Sequence, residues 1–445
     1  MVGDRGTLYR AIGKSMLGRY AVYVANLISM MILARVFTPE VFGVVASIMV
    51  FYYFFQIMTE AGLGPAIINV ESLAPVNRDG LFGLTLVGGL SLGLGFYLLS
   101  PVFEWFYGMA DVITVVPFVS LSLFLFASSV VPSALLLREQ AFFQLSTASF
   151  SAECISTMVT LIAINIVNPL WALAAKGTVH AFLVFSFTYY YSGKTEFGRP
   201  RPGMRFSAIR PLLKFTSNLF AFNFINYFSR NLDNILIGRY LGAEILGVYD
   251  RAYQLMKYPL MLLTFAMTPA IQPVIRKHES DLLRVEKIHR DFTFKLSIVA
   301  SVVGLTLFYM APQIILIMLG AQWVSVIPIF EVLTISIPAQ IVLSTSGSFY
   351  QALNRTDYLL LAGSLAAFVV ICAIVLGISE GNIISICWYV VFAFNFNFIA
   401  CYYLLYKKVF KVSVSGFYIR MLPAASVVIF MLERKLDWLD FMALW

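Results

Sequence analysis

The segment ARVFTPEVFGV at residues 34–44 returns 204 positions later as GRYLGAEILGV at residues 238–248, and GPAIINV at 64–70 returns as TPAIQPV at 268–274. At that one shift Tyr23 coincides with Tyr227, Arg35 with Arg239, Glu40 with Glu244, Gly43 with Gly247 and Val44 with Val248. Pro65, Ala66, Ile67 and Val70 fall on Pro269, Ala270, Ile271 and Val274 without a gap. Apolar segments match one another by chance, but Arg, Glu, Gly and Pro in register do not. The chain therefore carries two copies of one unit, and each copy opens with two helices joined at a short turn.

Outward from the repeat, apolar runs between polar breaks place spans near 17–36, 41–60, 80–100, 112–135, 146–167 and 170–192. A basic break from Lys194 to Lys214 follows, then spans near 215–237, 245–270, 295–318, 326–350, 357–378 and 383–406, and a shorter run near 419–432. Each of the twelve is long enough to cross a hydrocarbon layer of about 30 Å. Six spans separate the copies, an even number, so both face the same way across the membrane, as in transporters built from parallel repeats. The expectation is an all-α polytopic membrane protein with two parallel-repeat six-helix lobes around a central cavity, twelve core helices and one or two C-terminal helices. Its divisions are an N-lobe at 1–192, a basic cytoplasmic linker at 193–214, a C-lobe at 215–406 and a C-terminal helical region at 407–445.

Composition agrees with the repeat. Of 445 residues, 60% are hydrophobic and 12% are charged, against about 25% charged in soluble domains. No chain of this size can enclose so much apolar surface in water. The net charge of +8 does not form a nucleic-acid patch, because the basic residues are short clusters between apolar runs. With the N-terminus in the cytoplasm, inside loops hold 23 Lys and Arg, while outside loops hold only Arg35, Arg239, Arg434 and Lys435. That asymmetry sets the expected orientation. The first apolar run has full spanning length and no small-residue cleavage site, so a retained first helix is expected. Cys154, Cys372, Cys387 and Cys401 all sit inside apolar runs without histidine partners, so neither disulfides nor a metal site is expected.

Polar residues inside the spans carry the functional reading. The seventh span holds Asn223, Asn226, Arg230, Asp233 and Asn234 on one helical stripe. The 204-residue shift lays Arg19, Tyr23 and Asn26 of the first span on Asn223, Tyr227 and Arg230, so both halves carry a matched polar stripe. An amide stripe with an arginine should face water or protein, not lipid. The embedded cations Lys176, Arg230, Arg251 and Lys257, with Arg19 near the inner end of its helix, suit an anionic group. Glu60, Glu153, Asp233, Asp250 and Glu331 are carboxyls within or bordering spans, and burial makes such groups candidates for binding a coupling ion. Structural readings stand beside these. Arg230 and Asp233 at i, i+3 could neutralise one another, and Arg35/Glu40 with Arg239/Glu244 read as staples of surface turns. Lys176 and His180 at i, i+4 share a cavity wall or snorkel to the interface. Trp105, Tyr107, Trp171, Tyr189, Tyr190, Tyr191, Trp323, Tyr402 and Tyr406 lie at expected helix ends and read as an interfacial aromatic belt. The segment 276–295 reads as a charged helix along the inner surface, with Leu282, Leu283, Val285 and Ile288 on its apolar side.

The stretches MILARVFTPEVFGVVA and TEAGLGPAII in the first two spans, with SRNLDNILIGRYLGAEILGVYDRAYQLMKYPL in the seventh and eighth, resemble the Wzx-type polysaccharide exporters, especially the branch containing the colanic acid exporter. The likeness extends over most of the chain, and its specific motifs are confined to these helix pairs. The resemblance implies membership of the multidrug/oligosaccharidyl-lipid/polysaccharide flippase superfamily. It further implies movement of an undecaprenyl-pyrophosphate-linked oligosaccharide across the inner membrane by alternating access, with a polysaccharide polymerase and chain-length proteins as partners. Cations would replace the hydration of the diphosphate, and Asn and aromatic side chains would meet the sugars. No cofactor is implied. A membrane-embedded glycosyl- or acyltransferase would handle the same lipid-linked sugars. Such chemistry needs an acid/base constellation near the interface, whereas the spans hold one histidine and no closely paired carboxylates.

Overall fold

The computed structural model describes residues 2–60, 63–69, 74–204, 227–228 and 230–443, and every regular element in them is helical. Helices α1 (Val2–Val36), α2 (Pro39–Glu60), α3 (Leu63–Asn69), α4 (Pro75–Leu98), α5 (Ser100–Tyr107), α6 (Asp111–Arg138), α7 (Phe142–Ala163) and α8 (Pro169–Ser192) make up the first half. Helix α9 covers 230–241. It is followed by α10 (Ala243–Arg276), α11 (Leu282–Tyr309), α12 (Ala311–Met318), α13 (Val326–Thr334), α14 (Ile337–Leu343), α15 (Ser346–Ala352), α16 (Thr356–Ser379), α17 (Ile383–Leu404) and α18 (Ser415–Ala443). Among the described residues, ten helices are long and apolar enough to cross a membrane, and α13 with the helices after it makes an eleventh, bent by 53°. That bend falls where Pro338 enters the first turn of α14, because proline has no N–H to continue the preceding helix. The protein is a multi-pass membrane protein. Most of the span expected near 215–237 lies outside the described residues.

Two compact units form. One comprises the chain to Phe228 together with Gly242–Gly247, and the other comprises Ser229–Leu241 together with Val248–Trp445. In the first, α6 packs centrally against α4, α8 and α2, while α7 joins α8 to α1. Its apolar centre includes Val44, Ile48, Tyr52, Phe96, Phe103, Val115 and Leu123. Many hydroxyls inside the spans are satisfied within their own helices: Ser120 donates to the Val116 carbonyl and Ser128 to the Phe124 carbonyl, both at 2.8 Å. This is the local solution open to Ser and Thr where no water reaches.

The two repeat copies break at equivalent places. Phe42 N–H donates to Thr38 C=O at 3.2 Å, and Leu246 N–H donates to Gly242 C=O at 3.1 Å. These are the same hydrogen bond 204 residues apart. Gly242 adopts φ +89°, a left-handed conformation in which glycine carries no Cβ penalty.

Three expectations are corrected. Residues 282–295 are not a separate surface helix but the first part of the continuous α11. Glu286, His289 and Thr293 on this stretch are buried. His289 is enclosed by the rings of Phe349, Tyr402, Tyr406, Phe410 and Phe417. An amphipathic period marks a face that must be covered, and here protein covers it. For the same reason Trp323, Tyr402 and Tyr406 are interior residues with 0% exposure, not belt residues, although Trp105 and Trp171 are exposed. Finally, the short run near 419–432 is a 29-residue helix, α18, that packs along α11.

Candidate functional site

In each unit the repeat-equivalent helix turns one polar position outward and one inward. Asn26 and Arg230, equivalent under the 204-residue shift, are both exposed on their own units. Three residues on, Ser29 and Asp233 are equally equivalent, and each is 5% exposed. One helical turn thus separates a displayed side chain from a buried one in both copies. Arg19 is also exposed on α1. Asn223 and Asn226 lie outside the described residues.

In the second unit, Asp233 accepts from the Tyr249 hydroxyl at 2.8 Å and from the Asn234 N–H at 2.9 Å. Those two donors satisfy a carboxylate that has left water. Among the described residues no ion pair joins Asp233 to Arg230. Asp250 and Arg251, adjacent at the start of α10, pair with each other at 2.5 Å. Lys257, two turns further, places its ammonium 4.3 Å over the Tyr253 ring. Asp233, Asp250 and Arg230 all act on Lys257 electrostatically, so these four make one charged cluster across α9 and α10.

In the first unit, Glu153 at the middle of α7 is buried. Its Oε1 lies 2.8 Å from Lys176 Nζ, and its Oε2 lies 3.7 Å from His180 Nε2. Lys176 and His180 therefore share a face of α8 directed at Glu153, as their i, i+4 spacing allows. The Ser29 hydroxyl of α1 meets the Thr157 hydroxyl, one turn beyond Glu153 on α7, at 2.7 Å. Helix α8 meets α7 at the Glu153 carboxylate, and α1 meets it one turn on at Thr157.

The remaining carboxyl candidates are placed differently. Glu331 on α13 is ion-paired with Lys435 on α18, a side chain 3% exposed. Glu60 is the exposed last residue of α2. Sequence reasoning missed Ser29, Thr157 and Tyr249. Ser29 was one helical turn away, since the alignment that pairs Asn26 with Arg230 also pairs Ser29 with Asp233. Tyr249 falls on Val45 in the repeat, and nothing in the sequence marked it.

The family described as "Polysaccharide biosynthesis protein" matches residues 32–328. The lipopolysaccharide biosynthesis protein WzxC of Escherichia coli (strain K12) is 25% identical over 390 residues, 86% of this chain and 78% of that protein. The teichuronic acid biosynthesis protein TuaB of Bacillus subtilis (strain 168) is 22% identical over 374 residues, 82% of this chain and 75% of that protein. Among solved structures, the lipid II flippase MurJ in an inward closed conformation superposes with a TM-score of 0.71 at 13% identity, over 96% of this chain and 100% of that one. An inward-facing multidrug resistance MATE transporter of the MOP superfamily superposes at 0.65 with 12% identity, over 91% of this chain and 95% of that one. At such identities the likeness to the solved structures shows the fold.

Proposed function

The chain belongs to the polysaccharide biosynthesis protein family, and from that membership we propose that it is a flippase of the inner (cytoplasmic) membrane, moving an undecaprenyl-pyrophosphate-linked oligosaccharide by alternating access. The observation that carries the reading is the repeated polar turn: each half displays a polar residue, Asn26 or Arg230, at the equivalent position of a helix in a chain built to cross lipid. A diphosphate headgroup cannot enter hydrocarbon without partners. Arg230 supplies a guanidinium that can grip two phosphate oxygens at once, with Arg19 and Lys257 as further cations and Asn26 as a hydrogen-bonding group for sugar. Asn223, Asn226, Asp233, Lys176 and Arg251 remain in the proposed substrate set. The likeness to WzxC, a lipopolysaccharide biosynthesis protein, to TuaB, a teichuronic acid biosynthesis protein, and to MurJ, a lipid II flippase, supports the substrate class. A polymerase and chain-length proteins are proposed partners, and the N-terminus is proposed to be cytoplasmic.

Transport is proposed to be ion-coupled, with at least one of the carboxyl candidates taking part in binding and releasing the ion. Proteoliposomes carrying a dansyl-labelled undecaprenyl-pyrophosphate disaccharide test the function. Exposure of the headgroup to a membrane-impermeant quencher should rise with the protein and not with empty vesicles. Formation of a new covalent product without any change in exposure would support the transferase reading instead.

A further inference from the structure

Resting on that transport reading, we propose that Glu153, Lys176 and His180 form a proton site in the first unit, and that the coupling ion is H+ rather than Na+. Glu153 lies midway along α7 (Phe142–Ala163) and His180 midway along α8 (Pro169–Ser192). The three side chains thus meet at mid-span, where an ionisable group is costly unless it functions or is paired.

The geometry divides the work between the two carboxylate oxygens. Lys176 neutralises Glu153 through Oε1 at 2.8 Å, while Oε2 faces His180 Nε2 at 3.7 Å, beyond hydrogen-bond reach. With neutral imidazole the cluster carries no net charge. One proton added to the ring makes an imidazolium whose Nε2–H points at the free oxygen, and the cluster then carries one positive charge. No bond to any other atom breaks, and the same proton leaves when the ring returns to neutral. Histidine is the side chain whose ordinary titration spans physiological pH. A sodium ion would have to displace the ammonium that already occupies Oε1, whereas a proton displaces nothing.

The surrounding helices isolate the cluster. Between Arg19 and Arg35 of α1, between Glu40 and Glu60 of α2, and between Asp111 and Arg138 of α6, no charged side chain is present. On α7 the neighbouring ionisable group is Cys154, and from α6 the contact is Ser122, which meets Thr178 at 3.0 Å. The His180 side chain retains 35% exposure, so protein does not seal the ring. The link to transport is Ser29. Its hydroxyl meets Thr157 of α7 at 2.7 Å, Thr157 in turn donates to the Glu153 carbonyl at 2.8 Å, and one turn away on α1 Asn26 is displayed. Closing the gap between Glu153 and an imidazolium shifts α7 at this turn and is passed to α1 through the Ser29–Thr157 contact.

The full chain in lipid nanodiscs, labelled with 15N at its three histidines, tests the site without any substrate. As pH falls from about 8 to about 5 the His180 ring signals should move from the neutral to the cationic position. In Glu153→Gln, which removes the anion facing the ring, that transition should move to lower pH, and saturating NaCl should leave the wild-type transition in place. In proteoliposomes with the dansyl-labelled probe, an imposed pH gradient should speed wild-type translocation several-fold and a sodium gradient should not. Glu153→Gln and His180→Gln should lose that acceleration. A His180 signal that stays fixed over the pH range, or either variant keeping the full response to the pH gradient, overturns the proposal. Should a variant fail to fold, the wild-type titration still decides. Wild-type protein that titrates at His180 yet moves no probe under any gradient sinks the transport reading instead and leaves the proton site standing.

Discussion

Gly43 and Gly247 occupy the same position in the two repeat copies, and inside the first unit each lies against the backbone of the other's helix. A methyl group on Gly43 would fall 1.7 Å from the Ala243 carbonyl oxygen, and one on Gly247 would fall 1.9 Å from the Pro39 carbonyl oxygen. Pro39 and Ala243 are also 204 residues apart, so the contact is reciprocal within the first unit. Backbone cannot yield as a flexible side chain can. Gly43→Ala and Gly247→Ala should therefore each destabilise the protein by about 1–3 kcal/mol, the range for overpacking, or abolish folding. Gly95, where nothing lies within 4 Å of an added methyl, is the control, and Gly95→Ala should be neutral or slightly stabilising. Thermal unfolding of the purified variants in detergent checks all three. An unchanged midpoint for Gly43→Ala would mean that the helices do not approach here.

The Glu331–Lys435 pair makes a second forecast. Lys435 is 3% exposed, so Lys435→Met should leave Glu331 facing apolar neighbours without its counter-charge. Breaking a buried pair from one side costs up to about 3–5 kcal/mol, less whatever the partly exposed Glu331 recovers from solvent. Adding Glu331→Gln should restore much of the loss. If Glu331 served transport rather than anchoring α18, the double variant would fold and fail to export. Membrane abundance and surface polysaccharide measured together separate the two results.

The sequence disclosed one-dimensional relations and not the pairings that cross helices. The 204-residue register located the equivalent helix breaks at Thr38 and Gly242, because identity at Arg, Glu and Gly survives without knowing what those residues touch. Glu153, Lys176, His180 and Glu331 were conspicuous as ionisable groups in apolar runs. Their partners were not, since Lys176 is 23 residues from Glu153 and Lys435 is 104 from Glu331. The misreading at 282–295 has the same origin. Its helical period shows an apolar face, but only the packing of Phe349, Tyr402 and Phe417 on His289 shows that protein covers it.

That cage yields a third forecast. His289 Nδ1 lies 2.9 Å from the Tyr406 hydroxyl, and its ring centroid is 4.6 Å from that of Phe349 in an edge-on contact. His289→Ala should empty the cage and cost about 3 kcal/mol or more, as for other large-to-small interior changes. His289→Phe keeps the ring and loses only the hydroxyl's partner, about 1–3 kcal/mol. The order of the two thermal midpoints, Phe above Ala, is the measurement. The reverse order would show that the hydrogen bond outweighs the packing.

Arg230 is the residue on which the proposed headgroup site depends most, and the position of Asp233 decides how it should be tested. Were the two a neutralising pair, removing both would restore function. Asp233 instead faces inward, accepting from Tyr249 at 2.8 Å, while Arg230 is exposed one turn away. Arg230→Ala should therefore abolish most export with membrane levels unchanged. Arg230→Lys should retain part of it, because an ammonium keeps the charge but not the two-point grip on phosphate. Asp233→Ala should in any case lower stability, since it leaves the buried Tyr249 hydroxyl without its acceptor at a cost of about 1–3 kcal/mol. The double variant Arg230→Ala with Asp233→Ala should then be both less abundant than wild type and inactive per molecule. Complementation of surface polysaccharide, normalised to membrane abundance, reads both quantities. Normal export per molecule by the double variant would take Arg230 out of the substrate site.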